Sequence, residues 1–461
     1  LVVYDNGDQP STANVTTVTV VTGTPPTAVA GGPYLAATDG PPAYFNGLES
    51  SDDADPFIVQ GIAKYLWDVD IATDSDGDMN PSNDIDLLGP LPFHVYTNAG
   101  VYTARLTVVD GIDQQDSDLT VITVTNNLPP DVTCVAYLGD DRRGHPIISG
   151  QPTTLKGTVR DAGALTYQWD FGDGSPRFPA VPGAVPDPFE IDVTHTYTGP
   201  VGKPFVAELI VWDAAGLSNT DRYFMVIQPD ILPIRSEIAI QDGLWVLHKN
   251  QDRANGYWLS PYGNQPRYRG SSAASALLAF QVNGHGINSD PQRDAYVETV
   301  RKGFDFMYTY IDAYPIGIQA GFDPDSNGNG IGISLDQTIS NQEGYESGII
   351  MDAIAASQEL LAMAGTGKTN VKHRFFFDIL TDMVDMYAWG QVDSGNNTGG
   401  WRYGFNTDSD NSACQWGAIG LLAAQDIFGI NIPEFVKVRN LQWLNYTHSG
   451  TWFGYNSPNQ N

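Results

Sequence analysis

The chain has 461 residues, a mass of 50.0 kDa and 41% hydrophobic content, enough for about three domains with real cores and too apolar for a disordered chain. Its 54 acidic against 23 basic residues give a formal net charge of -31, which argues against nucleic-acid partners and anionic membrane surfaces. The acids are 45 Asp and only 9 Glu, alongside 48 Gly and 30 Pro, a bias toward turns, caps and hard-cation loops. This is the composition of an extracellular, turn-rich chain with calcium sites.

Taken in chain order, Leu1-Val2-Val3-Tyr4-Asp5 reads as the middle of a strand, and Thr16–Val21 as another. Residues 1–23 are expected to be the final strands of a preceding domain, in a piece of a longer precursor. No apolar run reaches the roughly 18 residues of a membrane span, so no membrane insertion is expected in this segment. Cys134 and Cys414 lie far apart and read as buried thiols, with a disulfide left open.

Residues 24–126 and 127–229 repeat one another. Tyr65-Leu66-Trp67-Asp68 returns as Tyr167-Gln168-Trp169-Asp170, and His94-Val95-Tyr96-Thr97 as His195-Thr196-Tyr197-Thr198. Ala104–Asp110 returns as Ala207–Asp213. Runs such as Thr103–Val109 alternate with β-branched content, as half-buried strands do, and turn clusters separate them. The second copy, with Trp169-Asp170-Phe171-Gly172-Asp173-Gly174 and His195-Thr196-Tyr197, resembles the PKD domain, an immunoglobulin-like sandwich of large bacterial cell-surface and secreted proteins. The first copy departs from that pattern at Trp67-Asp68-Val69-Asp70 and carries an Asp-rich insertion after it.

From about residue 230 the period changes to that of helices: 237–250, 274–282, 295–311, 347–363, 375–389, 415–427 and 434–446. Pro229 and Pro233 read as a short stiff linker before them. Gly256-Tyr257-Trp258, Gly399-Gly400-Trp401 and Gly450-Thr451-Trp452 read as equivalent turns. With Gly243-Leu244-Trp245 and Asp408-Ser409-Asp410-Asn411, these residues resemble the terpenoid-cyclase/prenyltransferase-like α/α toroid over 230–461. The resemblance implies a ring of helix pairs, incomplete at the C-terminus. The expected fold class is therefore multidomain β plus α, tandem immunoglobulin-like sandwiches followed by a toroid-type helical-hairpin domain.

Two loops carry metal-ligand spacing. Asp323, Asp325, Asn327 and Asn329 place oxygens on alternate residues with Gly328 at the sixth place, and Asp336 follows late. Asp74, Asp76, Asp78 and Asn80 form a second alternating set, with Asp84 and Asp86 nearby and Asp52, Asp53 and Asp55 as possible neighbours. Calcium is the expected ion, against solvated acidic turns. The toroid resemblance implies Asp410 as a proton donor, but Asn411 stands where its motif has Asp, and the plainer reading is an exposed helix cap. Zinc is not expected, since Cys414 has no His at ligand spacing. Ala362–Thr369 fits a relaxed phosphate-loop pattern in the wrong context, a Gly-rich helix stop, so no nucleotide is expected. Trp258, Trp401, Tyr403 and Trp452 are candidates for stacking on sugar or a partner, with core packing the plainer reading. Asn14, Asn396 and Asn445 fit the glycosylation sequon. No acid/base pair is recognisable; His248, His285, His373 and His448 stand singly. The expectation is a non-enzymatic surface, matrix or filament protein. Its partners would be other copies, surface or matrix protein, or glycan. The alternative is a secreted enzyme acting on polysaccharide or isoprenoid lipid in the toroid cavity.

Overall fold

The computed structural model describes residues 23–52, 61–81, 83–138, 144–259, 265–319 and 321–458. All but the last residue of the final strands expected at 1–23, and the sequon at Asn14, lie outside them.

The first sandwich contains β1 (Tyr34–Asp39), β2 (Ala43–Tyr44), β3 (Lys64–Asp68), β4 (Leu87–Leu88), β5 (Phe93–His94), β6 (Gly100–Val109) and β7 (Gln115–Asn127). Its larger sheet has the order β1-β7-β6-β3-β4, with β1 parallel to β7, and faces the pair β2-β5. The second contains β8 (Asp131–Cys134), β9 (His145–Ile147), β10 (Pro152–Arg160), β11 (Thr166–Asp170), β12 (Phe178–Ala184), β13 (Ile191–Thr196), β14 (Pro204–Trp212) and β15 (Ser218–Ile227). Sheet β12-β11-β14-β15-β9 faces sheet β13-β10-β8, and β9 is again the parallel edge.

The alternation seen in the sequence decides the faces. In β14, Phe205, Ala207, Leu209 and Val211 point into the core, as Ala104, Leu106 and Val108 do in β6. Trp67 and Trp169 hold equivalent places, both fully buried. Tyr96 donates its hydroxyl to the Val69 carbonyl at 2.7 Å, and Tyr197 repeats the bond to Phe171 at 3.1 Å. Asp118 accepts the Ala30 N–H at 2.9 Å and Asp221 the Cys134 N–H at 2.7 Å, tying each copy's first segment to its last strand. Duplicated sequence has become duplicated hydrogen bonding.

The remaining elements are α1 (Leu232–Asn250), α2 (Arg269–Gln281), α3 (Val297–Tyr308), a hairpin of β16 (Ile311–Pro315) and β17 (Ile331–Leu335), α4 (Glu343–Ala356), α5 (Phe376–Gly390), α6 (Asn411–Phe428), α7 (Glu434–Thr447) and a short pair β18 (His448–Ser449) and β19 (Trp452–Phe453). Helix α4 packs between α2 and α6. A side chain on Gly348 would strike the Trp416 carbonyl, and one on Gly420 the Gly348 carbonyl, so small residues set the close α4–α6 approach.

Two of the three Trp turns are equivalent in space. Trp258 donates its indole N–H to Leu247 at 2.8 Å, and Trp401 to Tyr387 at 2.9 Å. Gln251 donates to the Gly256 and Thr299 carbonyls, and Gln391 to those of Gly399 and Val436. The third turn differs from the expectation: Gly450 sits in the open β18–β19 turn and Trp452 is exposed. Two helix ends also differ. α3 stops at Tyr308 because the chain enters the β16 ladder at Ile311, and α4 stops at Ala356 because Gln358 adopts a left-handed φ of 59°.

The short linker at 229–233 leads straight into a helix packed on the second sandwich. Trp245 and Lys249 of α1 both reach Asp192, at 2.8 and 2.9 Å. Lys156, buried in β10, meets Asp242 at 2.7 Å. One hydrophobic core runs from this sandwich into the helices, while the first sandwich has its own. Arg160 joins all three parts. It lies 3.7 Å from both Asp131 and Glu298, donates to the Pro291 carbonyl at 2.9 Å, and covers the Phe93 ring at 5.6 Å.

Candidate functional site

The Asp-rich insertion of the first sandwich runs between β3 and β4. Alternate Asp residues fold such a loop by accepting their own backbone N–H groups. Asp74 accepts from Gly77 and Met79 at 2.6 and 2.8 Å, Asp76 from Asp78 at 3.0 Å, and Asp78 from Asn80 at 2.7 Å. Carboxylate oxygens of Asp74, Asp76, Asp78 and Asp84 all come within 4.8 Å of one another. Asp84 is the buried member: one oxygen accepts the Ser75 N–H at 2.6 Å and the other has no hydrogen-bond partner. Four clustered carboxylates repel unless neutralised, and an all-oxygen set with a buried unmatched oxygen fits calcium, not zinc or a redox metal. Of the expected set, Asn80 lies on the same loop but its chain N–H is what binds Asp78. Asp53 and Asp55 lie outside the described residues.

The other loop, 316–330, closes the β16–β17 hairpin. Asp325 accepts N–H groups from Gly328, Asn329 and Gly330 at 2.8–3.2 Å, while Asn327 and Asn329 turn toward α5. Asp323 accepts from Asp325 at 3.2 Å. Asp336 does not join them: it follows β17 at the far end of the hairpin, where Lys368 bonds it and Asp312 at 2.6 Å each. That Lys belongs to the phosphate-loop-like run, and the two carboxylates hold its ammonium above its ordinary pKa.

The exposed cap expected at Asp410 is a buried one. It caps α6 by accepting the Ala413 N–H at 2.7 Å and lies 3.2 Å from Arg402. Trp258 and Trp401 are core residues, leaving Tyr403 and Trp452 as the exposed members of that set. His248 sits between Thr299 at 2.7 Å and the Phe189 carbonyl at 2.6 Å, and burial lowers it to about 3. His285 meets Asp294 at 3.1 Å. Cys134 and Cys414 are free and buried, and burial raises the Cys414 thiol to about 12. Asn396 and Asn445 are exposed.

Sequence reading missed a cleft of about 540 Å³ between the first sandwich and the helices, lined by Tyr65, Arg301, Asp305, Glu359, Lys372 and His373 among others. Arg301 closes one wall by donating to the Leu91 carbonyl at 2.9 Å. Burial raises the Glu359 carboxyl above its usual range, against a hydrogen bond from Asn288. These residues are scattered over 300 positions, so no local pattern announces them. No helix among the described residues is long and apolar enough to cross a membrane.

Residues 141–225 match the PKD domain family. This stretch is a PKD domain. Among solved structures, the chain is similar to the PKD domain of a peptidase from a Thermoplasmatales archaeon (16% identity, 22% of this chain and 94% of that one, TM-score 0.17). It is similar to fibronectin(III)-like modules of CbhA from Clostridium thermocellum (10% identity, 44% and 94%, TM-score 0.17). A third is a carbohydrate-binding module of the β-sandwich superfamily (17% identity, 46% and 88%, TM-score 0.17). The matched stretch contains Trp169, Tyr197 and Arg160, so the PKD domain supplies the residue at which all three parts meet.

Proposed function

We propose that this chain is a non-enzymatic extracellular binding or structural module. The PKD domain and a diverged PKD-like copy before it carry a toroid-like helical head, which meets other copies, matrix protein or glycan. The observation that carries this reading is the Arg160 junction, which pairs with Asp131 and Glu298 and covers Phe93 of the first sandwich, and which favours a head held rigidly on its support. The Asp74–Asp84 loop, filled with calcium, stiffens the outer sandwich. Two of the groups that sequence offered for catalysis make structural bonds: Asp410 caps a helix, and His248 bridges two elements. The test is binding to insoluble polysaccharides and self-association by sedimentation, beside turnover assays on the same polysaccharides and on isoprenoids. Binding or association without turnover is expected.

A second reading, a polysaccharide- or lipid-acting enzyme, rests on the cleft that brings Asp305 and Glu359 together with Arg301 and His373. Turnover abolished by Asp305→Asn in a folded chain would establish it in place of the first.

A further inference from the structure

The cleft between the first sandwich and the helices differs in charge from the rest of the molecule. The chain carries 54 acidic against 23 basic residues, but the cleft is lined by three of each, Asp86, Asp305 and Glu359 against Lys64, Arg301 and Lys372. Burial and the neighbouring Lys372 lower His373 below its ordinary value, so the ring adds no charge at neutral pH. A site whose charges cancel favours neither an anion nor a cation. Its polar groups are also available. The Asp305 carboxylate is open to solvent and has no hydrogen-bond partner among the described residues, while the protein around it raises it to about 6 against the pull of Arg301. Lys372 is exposed and has no ion pair among the described residues. A constrained turn brings it there. His373 adopts a left-handed φ of 63° and donates its N–H to the Ala364 carbonyl at 2.8 Å, and Ala364 donates to that of Arg374 at 3.0 Å. Gly365 of the phosphate-loop-like run lies against Asp305, where a side chain would come within 2.9 Å of the carboxylate. Between the polar groups the lining is apolar, with Ile85 and Leu361 exposed and the Tyr65 ring half-buried.

We propose that this cleft is a binding site for a neutral oligosaccharide. A sugar ring is uncharged, has hydroxyls that both donate and accept, and presents apolar C–H faces. The lining answers each property: Asp305 and Glu359 accept, Arg301 and Lys372 donate, and Tyr65, Ile85 and Leu361 cover the apolar faces. The volume of about 540 Å³ falls within the range of about 300–1,000 Å³ typical of ligand clefts. Charged polymers fit less well, since an anionic one meets three carboxylates and a cationic one meets three cations. A lipid tail would leave Asp305 and Lys372 desolvated without partners. The inference rests on the first reading above, in which glycan is a partner and is not turned over. Because both parts line the cleft, the bound sugar ties the first sandwich to the helices.

The test is calorimetric titration of the full-length chain with neutral cello-, xylo-, manno- and laminari-oligosaccharides, and with oligogalacturonate and chitosan oligomers as anionic and cationic probes. At least one neutral probe is expected to bind, and more tightly than either charged one. Asp305→Ala and Lys372→Ala, both at exposed positions, are each expected to weaken that binding about tenfold while keeping wild-type circular dichroism. The proposal is overturned if both variants bind as wild type does; glycan binding then stands, with its site elsewhere. It is overturned too if no neutral probe binds, which leaves self-association or matrix protein to the first reading. Shortened products appearing during the titration, and absent with Asp305→Asn, would replace binding by turnover and establish the second reading instead.

Discussion

Arg160 works as a junction because a guanidinium is planar: its edge faces carboxylates and a carbonyl of the second sandwich and the helices while its face covers the Phe93 ring of the first. Removing it leaves Asp131 without its cation in a mostly desolvated place, while Glu298 keeps Lys302 at 3.0 Å. Arg160→Ala is expected to cost about 3 kcal/mol in denaturant unfolding, and Arg160→Lys to recover only part of that. Equal stability of all three chains would show the junction to be incidental. A second residue-scale expectation concerns acid. Burial lowers His248 from 6.5 to about 3, so the fold favours its neutral form. Its contribution is complete above pH 6.5 and is lost as pH falls from there toward 3, on the order of 1 kcal/mol per pH unit. Carboxyls with raised values, Asp385 among them, act in the opposite direction over part of this range. The comparison with His248→Gln isolates the imidazole: unfolding measured from pH 6.5 to 4 should fall less steeply in the variant, by about one proton. Parallel slopes would mean that the ring charges without strain.

Among the elements, the two equivalent Trp turns are the most constrained. Gly399 has a φ of 92°, and a side chain there would lie 1.7 Å from the Arg439 carbonyl; Gly256, at 83°, would meet that of Lys302 at 2.1 Å. Gly429 also has a positive φ but opens on nothing within 4 Å. Gly429→Ala is expected to cost about 1 kcal/mol, the left-handed strain alone, and Gly399→Ala at least twice that, because α7 must also move away. Equal losses in thermal unfolding would remove the claimed close approach. The existence of every helix was legible from periodicity, and the sandwich strands from alternation, because both are local patterns. What was not legible was anything made by distant segments. The likeness of the Gly450 turn to the other two was purely local, and α7 is followed by an exposed strand pair instead of a further packed helix. Asp336 fell at nearly the right spacing for a loop ligand, yet the β17 strand carries it to the opposite end of the hairpin. The contact of Asp382 and Asp385 on α5 with the 316–330 loop did leave a trace, two acids three apart in an apolar helical run, but that loop lies more than 50 residues away.

On the scale of the whole molecule, the expected stalk and head do not hang on a hinge. α1 shares a core with the PKD domain, and Arg301 reaches the first sandwich at the Leu91 carbonyl. A calcium ion held by the Asp74–Asp84 loop would act on this body from its edge. Melting with calcium is expected to exceed melting with chelator by several degrees once the ion is well above its dissociation constant, and Asp84→Asn to remove part of that difference. Identical melts would show the Asp74–Asp84 loop to be a solvated turn. The central claim is that both sandwiches and the helices move as one rigid unit. The direct measurement is a spin-label distance distribution between Leu119→Cys on the first sandwich and Leu422→Cys on α6, both exposed positions, the native cysteines being buried. A single narrow distribution, broadened by adding Arg160→Ala, is the expected result. A broad or two-peaked distribution in the otherwise unaltered chain would contradict the claim.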